Sequence, residues 1–230
     1  MVKIVSSEDD EARDKIIKAT NSQNPVQPAT LRATDKVQRD IEDALKSAGL
    51  YYDRRKNYYK NEGKPADKII SIPLLAQAVM TILLGRPDTA RGRPSSLIKD
   101  DTVYAQVFSE GHPIGLYANA AMLMRIVDRA LKARSELKGR DRSNLRFYAL
   151  LWLTAMLTGK VMPRAGDVAA IDVKAIDAAD VEAAVDEVSN IYEALGSTDA
   201  AAKGPDLRKQ TIEKVTATLQ ANHSTLTGSA

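Results

Sequence analysis

The chain has 230 residues, of which 44% are hydrophobic and 27% are charged, the composition of a globular protein with one substantial core. It has no cysteine and only two histidines, which excludes a disulfide framework, thiolate metal sites and cysteine nucleophiles and argues against a histidine-rich metal site. The net charge of +3 is too small to indicate a nucleic-acid partner by itself.

No signal peptide or membrane span is predicted. The first residues, MVKIVSSEDDEARDK, lack the apolar run and the small-residue cleavage site of a signal peptide. Of the two most apolar stretches, 69–84 is interrupted by Ser71 and Pro73, and 147–157 is about half as long as a bilayer span. We expect both to be buried helices, no membrane partner, and a cytoplasmic location, which the absence of cysteine also favours.

The first fifty residues predict a strand and two helices. Residues 2–5 read as a strand and, because a lone strand is unstable, we expect it to pair with preceding residues of a longer protein, of which this chain is the C-terminal part. A first helix is predicted up to about Thr20, where Asn-Ser-Gln-Asn-Pro ends it. A second is predicted over 35–48, with Gly49 as its C-cap.

The middle of the chain is less regular. Residues 50–60, LYYDRRKNYYK, predict an extended segment or a hairpin that turns at 61–63. A buried helix is predicted over 72–84, with Pro73 in its first turn. We expect a loop over 86–96, RPDTARGRPSS, and short helices within 95–108.

The second half of the chain predicts mostly helices. A segment at 144–159 is apolar nearly all round, which is typical of the helix at the centre of a core. A linker is predicted over 196–205. Other helices are predicted at 116–136, 177–195 and 206–221.

Charge is distributed unevenly in this half. Residues 125–146 contain eight basic and three acidic residues, and residues 164–195 contain eight acidic and two basic residues. This pattern is typical of two solvated helix faces packed side by side. The alternative is that these faces dock on other subunits of a homo-oligomer.

Three segments resemble the AIPR family of bacterial abortive-infection phage-resistance proteins. They are IIKATNSQNPV (16–26), LRATDKVQRDIEDALKSAGLYYDRRKNYY (31–59) and LLAQAVMTILLGRPDTAR (74–91). The resemblance is carried by residues 1–110 and implies a phage-defence protein longer than this chain. It further implies a division into an AIPR-like motif region (1–110), a helical part packed on it (111–222) and a disordered tail (223–230).

Two clusters are candidates for ligand binding. Asn21, Gln23 and Asn24 carry donors and acceptors that either cap helices or bind a base or phosphate. Arg54, Arg55 and Lys56 lie among tyrosines, a composition suited to stacking on bases and neutralising phosphates, or to a half-buried strand whose basic ends reach water.

Two short motifs indicate further possibilities. Asp53, Glu62 and Lys64 imitate the Asp…Glu-x-Lys pattern of Mg²⁺-dependent nucleases, in which two carboxylates hold the metal. Arg91-Gly92-Arg93-Pro94 spells the core of an AT-hook, whose extended arginines enter the minor groove, although the loop interpretation is favoured here.

These observations together predict a mainly α, irregular multi-helix domain with a small β element near the N-terminus and around 51–60. We expect a nucleic-acid-facing or partner-facing module coupled to an effector elsewhere in the full-length protein, not an enzyme by itself and without a cofactor. The alternatives are a structural or oligomerisation module and a Mg²⁺-dependent nuclease.

Overall fold

The computed structural model describes Ala12, Lys15, Ile16, and residues 32–93 and 96–227. In these residues the regular structure consists of helices and one two-stranded sheet, which confirms the predicted mainly α fold. The strand predicted at 2–5 and the amide cluster of Asn21, Gln23 and Asn24 lie outside the described residues.

Helix α1 spans Lys36–Ser47, close to the predicted bounds. Its apolar residues recur every three or four positions, so that Val37, Ile41 and Leu45 share one buried face. Gly49 follows the helix with a φ of 76°, a left-handed conformation that glycine adopts without steric cost. The helix therefore ends as its sequence predicts.

The sheet differs from the predicted hairpin. Strand β1 (Tyr51–Asp53) pairs in parallel with β2 (Ile69–Ser71), in a register that places Tyr52 opposite Ile70. A turn does form at Gly63, whose φ is 74°, but the chain continues through helix α2 (Tyr58–Asn61) and a 3₁₀ turn at Ala66–Lys68. This crossover returns the chain to the starting end of β1, so the second strand runs parallel.

Helix α3 (Ile72–Leu84) follows directly and confirms the predicted buried helix, with Ser71 capping it by accepting the Leu74 amide. The loop predicted over 86–96 is wrong for its first half, because Pro87–Gly92 forms helix α4. Proline is as favourable at the first position of a helix as it is unfavourable inside one. Pro87 and Ala90 are buried, so the short helix is stabilised by packing.

The remaining helices are α5 (Ser96–Lys99), α6 (Asp101–Val107), α7 (Gly115–Ala133), α8 (Gly139–Thr158), α9 (Ala165–Ala169), α10 (Ala178–Ala194), α11 (Asp199–Lys203) and α12 (Pro205–Thr227). The long helices of the second half form where they are predicted, although α8 begins five residues before the predicted segment and α12 runs into the predicted tail. Two short helices are not predicted: α9, between the predicted helices at 144–159 and 177–195, and α11, inside the predicted linker.

Helix α8 is the centre of the core, as its all-round apolar sequence predicts. It packs against α3, α4, α7, α10 and α12. Leu150, Leu151 and Trp152 are consecutive and all buried, which requires neighbours on every side of the helix. Helix α7 in turn packs on α1 and thereby connects the core to the sheet. In the part of the chain described here, no helix is long and apolar enough to cross a membrane.

Candidate functional site

The basic-aromatic segment after β1 borders an open cleft beside α1. The cleft has a volume of about 380 Å³ and is lined by Glu42, Asp43, Lys46, Tyr52, Arg54, Arg55, Tyr58 and Tyr59. Both α1 and the residues that follow β1 therefore contribute side chains to one surface.

Asp53 shapes the segment that follows it. Its carboxylate accepts hydrogen bonds from the backbone N–H groups of Asn57, at 2.7 Å, and Tyr59, at 3.2 Å. Asn57 adopts a left-handed conformation with a φ of 65°, which asparagine tolerates better than most residues. Asp53 is largely buried and caps this turn, so residues 55–58 are held out toward solvent.

Glu62 and Lys64, the other members of the nuclease-like motif, have different partners. A hydrogen bond to Glu62 raises the pKa of Tyr58, and the Lys64 ammonium lies 5.3 Å from the centre of the Tyr51 ring. Among the described residues, no group of three or more histidines and carboxylates is placed to hold a metal ion. The contacts of Asp53, Glu62 and Lys64 therefore give the nuclease hypothesis no support.

Arg54 anchors the segment to α1. Its Nε donates to Glu42 Oε2 at 2.7 Å, and its Nη1 donates to the Ala33 carbonyl at 2.6 Å. The Tyr59 hydroxyl donates to the other Glu42 oxygen at 3.1 Å. The guanidinium of Arg54, one of the predicted ligand-binding residues, is therefore half-buried and already has partners within the chain.

Arg55 and Lys56 behave differently from their neighbour. Both side chains are exposed, as is that of Lys60 in α2, and among the described residues none of the three forms an ion pair or a side-chain hydrogen bond. Tyr58 lies between them in the sequence and is 48% exposed. We call Arg55, Lys56, Tyr58 and Lys60 the basic tyrosine patch.

The patch rests on a small aromatic cluster. The Tyr58 and Tyr59 rings meet edge to face with centroids 5.0 Å apart, and Tyr59 lies 5.2 Å from Tyr51. Burial and then the Glu42 charge raise the pKa of Tyr59 to about 12. The pKa of Tyr58 is raised as well, first by its hydrogen bond to Glu62, so Tyr58 offers an uncharged ring to a ligand.

A buried hydrogen-bond network holds strand β1 in place. The Tyr52 hydroxyl donates to Gln38 Oε1 at 2.5 Å, and Gln38 Nε2 donates to the Tyr104 hydroxyl at 2.8 Å. The Tyr104 hydroxyl donates to Asp35 at 2.8 Å. Burial raises the pKa values of both tyrosines. The network joins β1, α1 and α6, and the segment that carries the patch follows directly after β1.

Arg91 and Arg93 lie away from the patch. Arg91 is helical, which rules out the extended backbone of an AT-hook. Its Nε donates to Asn144 Oδ1 at 2.8 Å, and its Nη2 lies 3.7 Å from Asp199. Arg93 is exposed just beyond α4. The arginines of the predicted site therefore lie in separate places. Tyr58 is not among the predicted site residues, but it belongs to the patch because its side chain is exposed.

The basic and acidic helices do pack against each other, as predicted. Arg134 at the end of α7 lies 2.5 Å from Glu182 and 2.6 Å from Asp186, both in α10. The salt bridges account for one basic residue and two acidic residues of these runs. They also show that some of the opposite charges of the two runs pair with each other within the molecule.

A comparison with known protein families identifies a match over most of the chain. The family model described as AIPR protein matches residues 1–202 of the chain. The match continues well past residue 110, the end of the region that carries the resemblance in sequence, and includes α7, α8 and α10. No curated protein and no solved structure matches the chain.

Proposed function

Because the chain belongs to the AIPR family, which is associated with abortive infection and phage resistance, we propose that it is a nucleic-acid-facing module of a phage-defence protein. An effector elsewhere in the full-length protein would act when this module is engaged. The patch, not the motif at Arg91 and Arg93, is the contact surface.

The observation that carries this proposal is the basic tyrosine patch. Three exposed cations, which form no ion pair within the described residues, lie within three positions of an exposed tyrosine in the chain. Cations of this kind neutralise phosphates and release counterions, which supplies most non-specific affinity for nucleic acid. A base that stacks on an aromatic side chain adds roughly 1–3 kcal/mol.

The chemistry of the patch favours single strands. The bases of a duplex are stacked on each other and do not offer their faces to a protein side chain. Tyr58 can stack only on a base that is already unpaired. We therefore propose single-stranded DNA or RNA as the ligand, with Arg55, Lys56 and Lys60 on its backbone.

The proposal can be tested by fluorescence anisotropy with labelled single-stranded DNA, RNA and duplex DNA at two salt concentrations. We expect salt-sensitive binding that is strongest for the single strands. Replacing Arg55, Lys56 and Lys60 together by glutamine should reduce the salt slope by about 2, because each single-strand phosphate contact contributes about 0.7. Tyr58→Ala should weaken binding about tenfold.

A matched control carries the same loss of charge elsewhere. Lys99, Lys138 and Lys209 are exposed and do not line the cleft beside α1, so replacing all three by glutamine should change affinity far less than the patch variant. If the two triple variants lose the same affinity, the effect depends on net charge alone, which would contradict the proposal. Absence of binding at low salt would leave a partner-facing or oligomerisation role.

A further inference from the structure

A second cleft lies where α1 ends, beside α7. It has a volume of about 380 Å³, within the roughly 300–1,000 Å³ typical of small-molecule sites. It shares no lining residue with the cleft at the basic tyrosine patch. Its walls come from the end of α1, the 3₁₀ turn at Ala66–Lys68, and α7.

Cations surround the mouth of this cleft. Lys68, Arg129 and Lys132 line it and are exposed, and within the described residues none of these side chains forms an ion pair or hydrogen bond. Arg129 and Lys132 are three residues apart on α7 and therefore lie on the same face of the helix. Asp67 is the one exposed carboxylate in the described lining.

A fourth cation, Arg125, is held in the wall of the cleft by its contacts with neighbouring groups. Arg125 Nη1 lies 3.0 Å from Asp128, and Arg125 also donates to the Ile69 carbonyl. Asp128 is buried and is also 2.5 Å from Arg146, so two arginines compensate its charge. Arg125 Nε is buried and has no hydrogen-bond partner among the described residues.

The remaining lining is apolar. Leu50, Met122, Ile126 and Val173 line the cleft between these charged groups. Apolar walls with a few convergent polar groups are the usual composition of a small-molecule site. An inorganic anion would leave the apolar wall unused, and an uncharged apolar ligand would leave the cations without partners.

We propose that this cleft binds a free nucleoside phosphate. The base and sugar lie against Met122 and Ile126, and the phosphate faces Arg129 and Lys132, with Arg125 behind them. The site is separate from the basic tyrosine patch and does not depend on the function proposed for it. It gives the chain a small-molecule ligand in addition to a polymeric one.

Isothermal titration calorimetry of the whole chain tests this proposal, with AMP, GMP, ADP and ATP as probes, and adenosine and pyrophosphate as fragments. We expect saturable one-to-one binding of at least one nucleotide. Each fragment should bind at least about tenfold more weakly, since it reaches only half of the site. Replacing Arg129 and Lys132 by glutamine should weaken nucleotide binding about tenfold or more.

Three controls separate the possible outcomes. Lys99→Gln with Lys138→Gln removes the same charge outside the cleft and should leave nucleotide affinity unchanged. Thermal unfolding should show that the Arg129 and Lys132 variant remains folded, as expected for exposed side chains. The triple variant of the basic tyrosine patch should bind the nucleotide normally.

Two results would overturn the proposal. One is the absence of saturable heat with every nucleotide. The other is pyrophosphate binding as tightly as ATP, which would reduce the cleft to a general anion site. Loss of oligonucleotide binding in the Arg129 and Lys132 variant, without nucleotide binding by the parent chain, would assign the cleft to the nucleic-acid surface instead.

Discussion

Gln38 in α1 and Asn144 in α8 are both completely buried amides, but they hold together different parts of the molecule. The side chain of Gln38 lies between the hydroxyls of Tyr52 and Tyr104, and both of these partners are neutral. The Tyr104 hydroxyl then reaches Asp35. This network links α1 to β1 and is close to the basic tyrosine patch.

Asn144 has charged partners. Its Nδ2 donates to Asp199 at 2.9 Å and to the Tyr192 hydroxyl at 2.7 Å, while its Oδ1 accepts from Arg91 at 2.8 Å. The Tyr192 hydroxyl donates further to Asp141. These contacts join α4, α8, α10 and α11, far along the chain from the patch. One amide therefore supports the proposed binding surface and the other supports the helical core.

The largest expected effect is that of Asn144→Leu. The substitution leaves Arg91, Asp199 and Tyr192 without a shared partner, and unsatisfied buried groups cost about 1–3 kcal/mol each. Because Arg91 and Asp199 are partly solvated, we expect the free energy of unfolding to fall by about 2–4 kcal/mol in urea denaturation. Oligonucleotide affinity of the folded variant should not change.

The neighbouring Ser143 provides the control for this substitution. Its hydroxyl donates only to the Gly139 carbonyl one turn earlier, at 3.0 Å. Ser143→Ala should therefore change stability by less than about 0.5 kcal/mol. If the folded Asn144→Leu variant loses nucleic-acid binding, the Asn144 network also supports the binding surface, and the two networks are not separate in function.

A smaller effect is expected for Gln38→Leu, about 1–3 kcal/mol, because the Tyr52 hydroxyl loses its acceptor in a buried site. Here oligonucleotide affinity should fall as well, since β1 is less firmly held beneath the patch. The double variant Gln38→Leu with Tyr52→Phe removes both polar partners and should be more stable than Gln38→Leu alone. If it is less stable, the network does not act through this hydrogen bond.

The sequence predicts the helices well because their signals are local. The apolar periodicity of α1, the all-round apolar sequence of α8 and the capping glycine at Gly49 are each visible within one turn or two. The parallel sheet has no such signal, since the partner of Tyr52 lies in a different segment and hydrogen-bonds through its backbone. A local turn at Gly63 is compatible with either topology.

The candidate site is predictable in composition but not in detail. Arg54 and Arg55 are adjacent and chemically identical, yet Arg54 is held by Glu42 and Arg55 is exposed. The partner comes from another element, so no pattern within 50–60 reveals it. Arg91 is similar, because Asn144 and Asp199 reach it only through the packing of α4 on α8 and α11.

The smallest expected effect concerns Tyr59, which adjoins the patch. Burial and the Glu42 charge raise its pKa to about 12 in the folded chain, against about 10 for an unfolded tyrosine. Between about pH 10 and about pH 12, the Tyr59 hydroxyl has lost its proton in the unfolded chain but keeps it in the folded chain. Tyr59 therefore stabilises the fold below about pH 10, and this contribution is lost as the pH rises through about 12.

The buried tyrosines Tyr52, Tyr104 and Tyr148 have raised pKa values too and act in the same direction, so only a comparison isolates Tyr59. Urea denaturation of the parent chain and of Tyr59→Phe at about pH 9 and about pH 11 provides it. Phenylalanine cannot ionise, so the variant should lose less stability between the two conditions than the parent. An equal loss would mean that Tyr59 titrates normally and that Glu42 does not act on it.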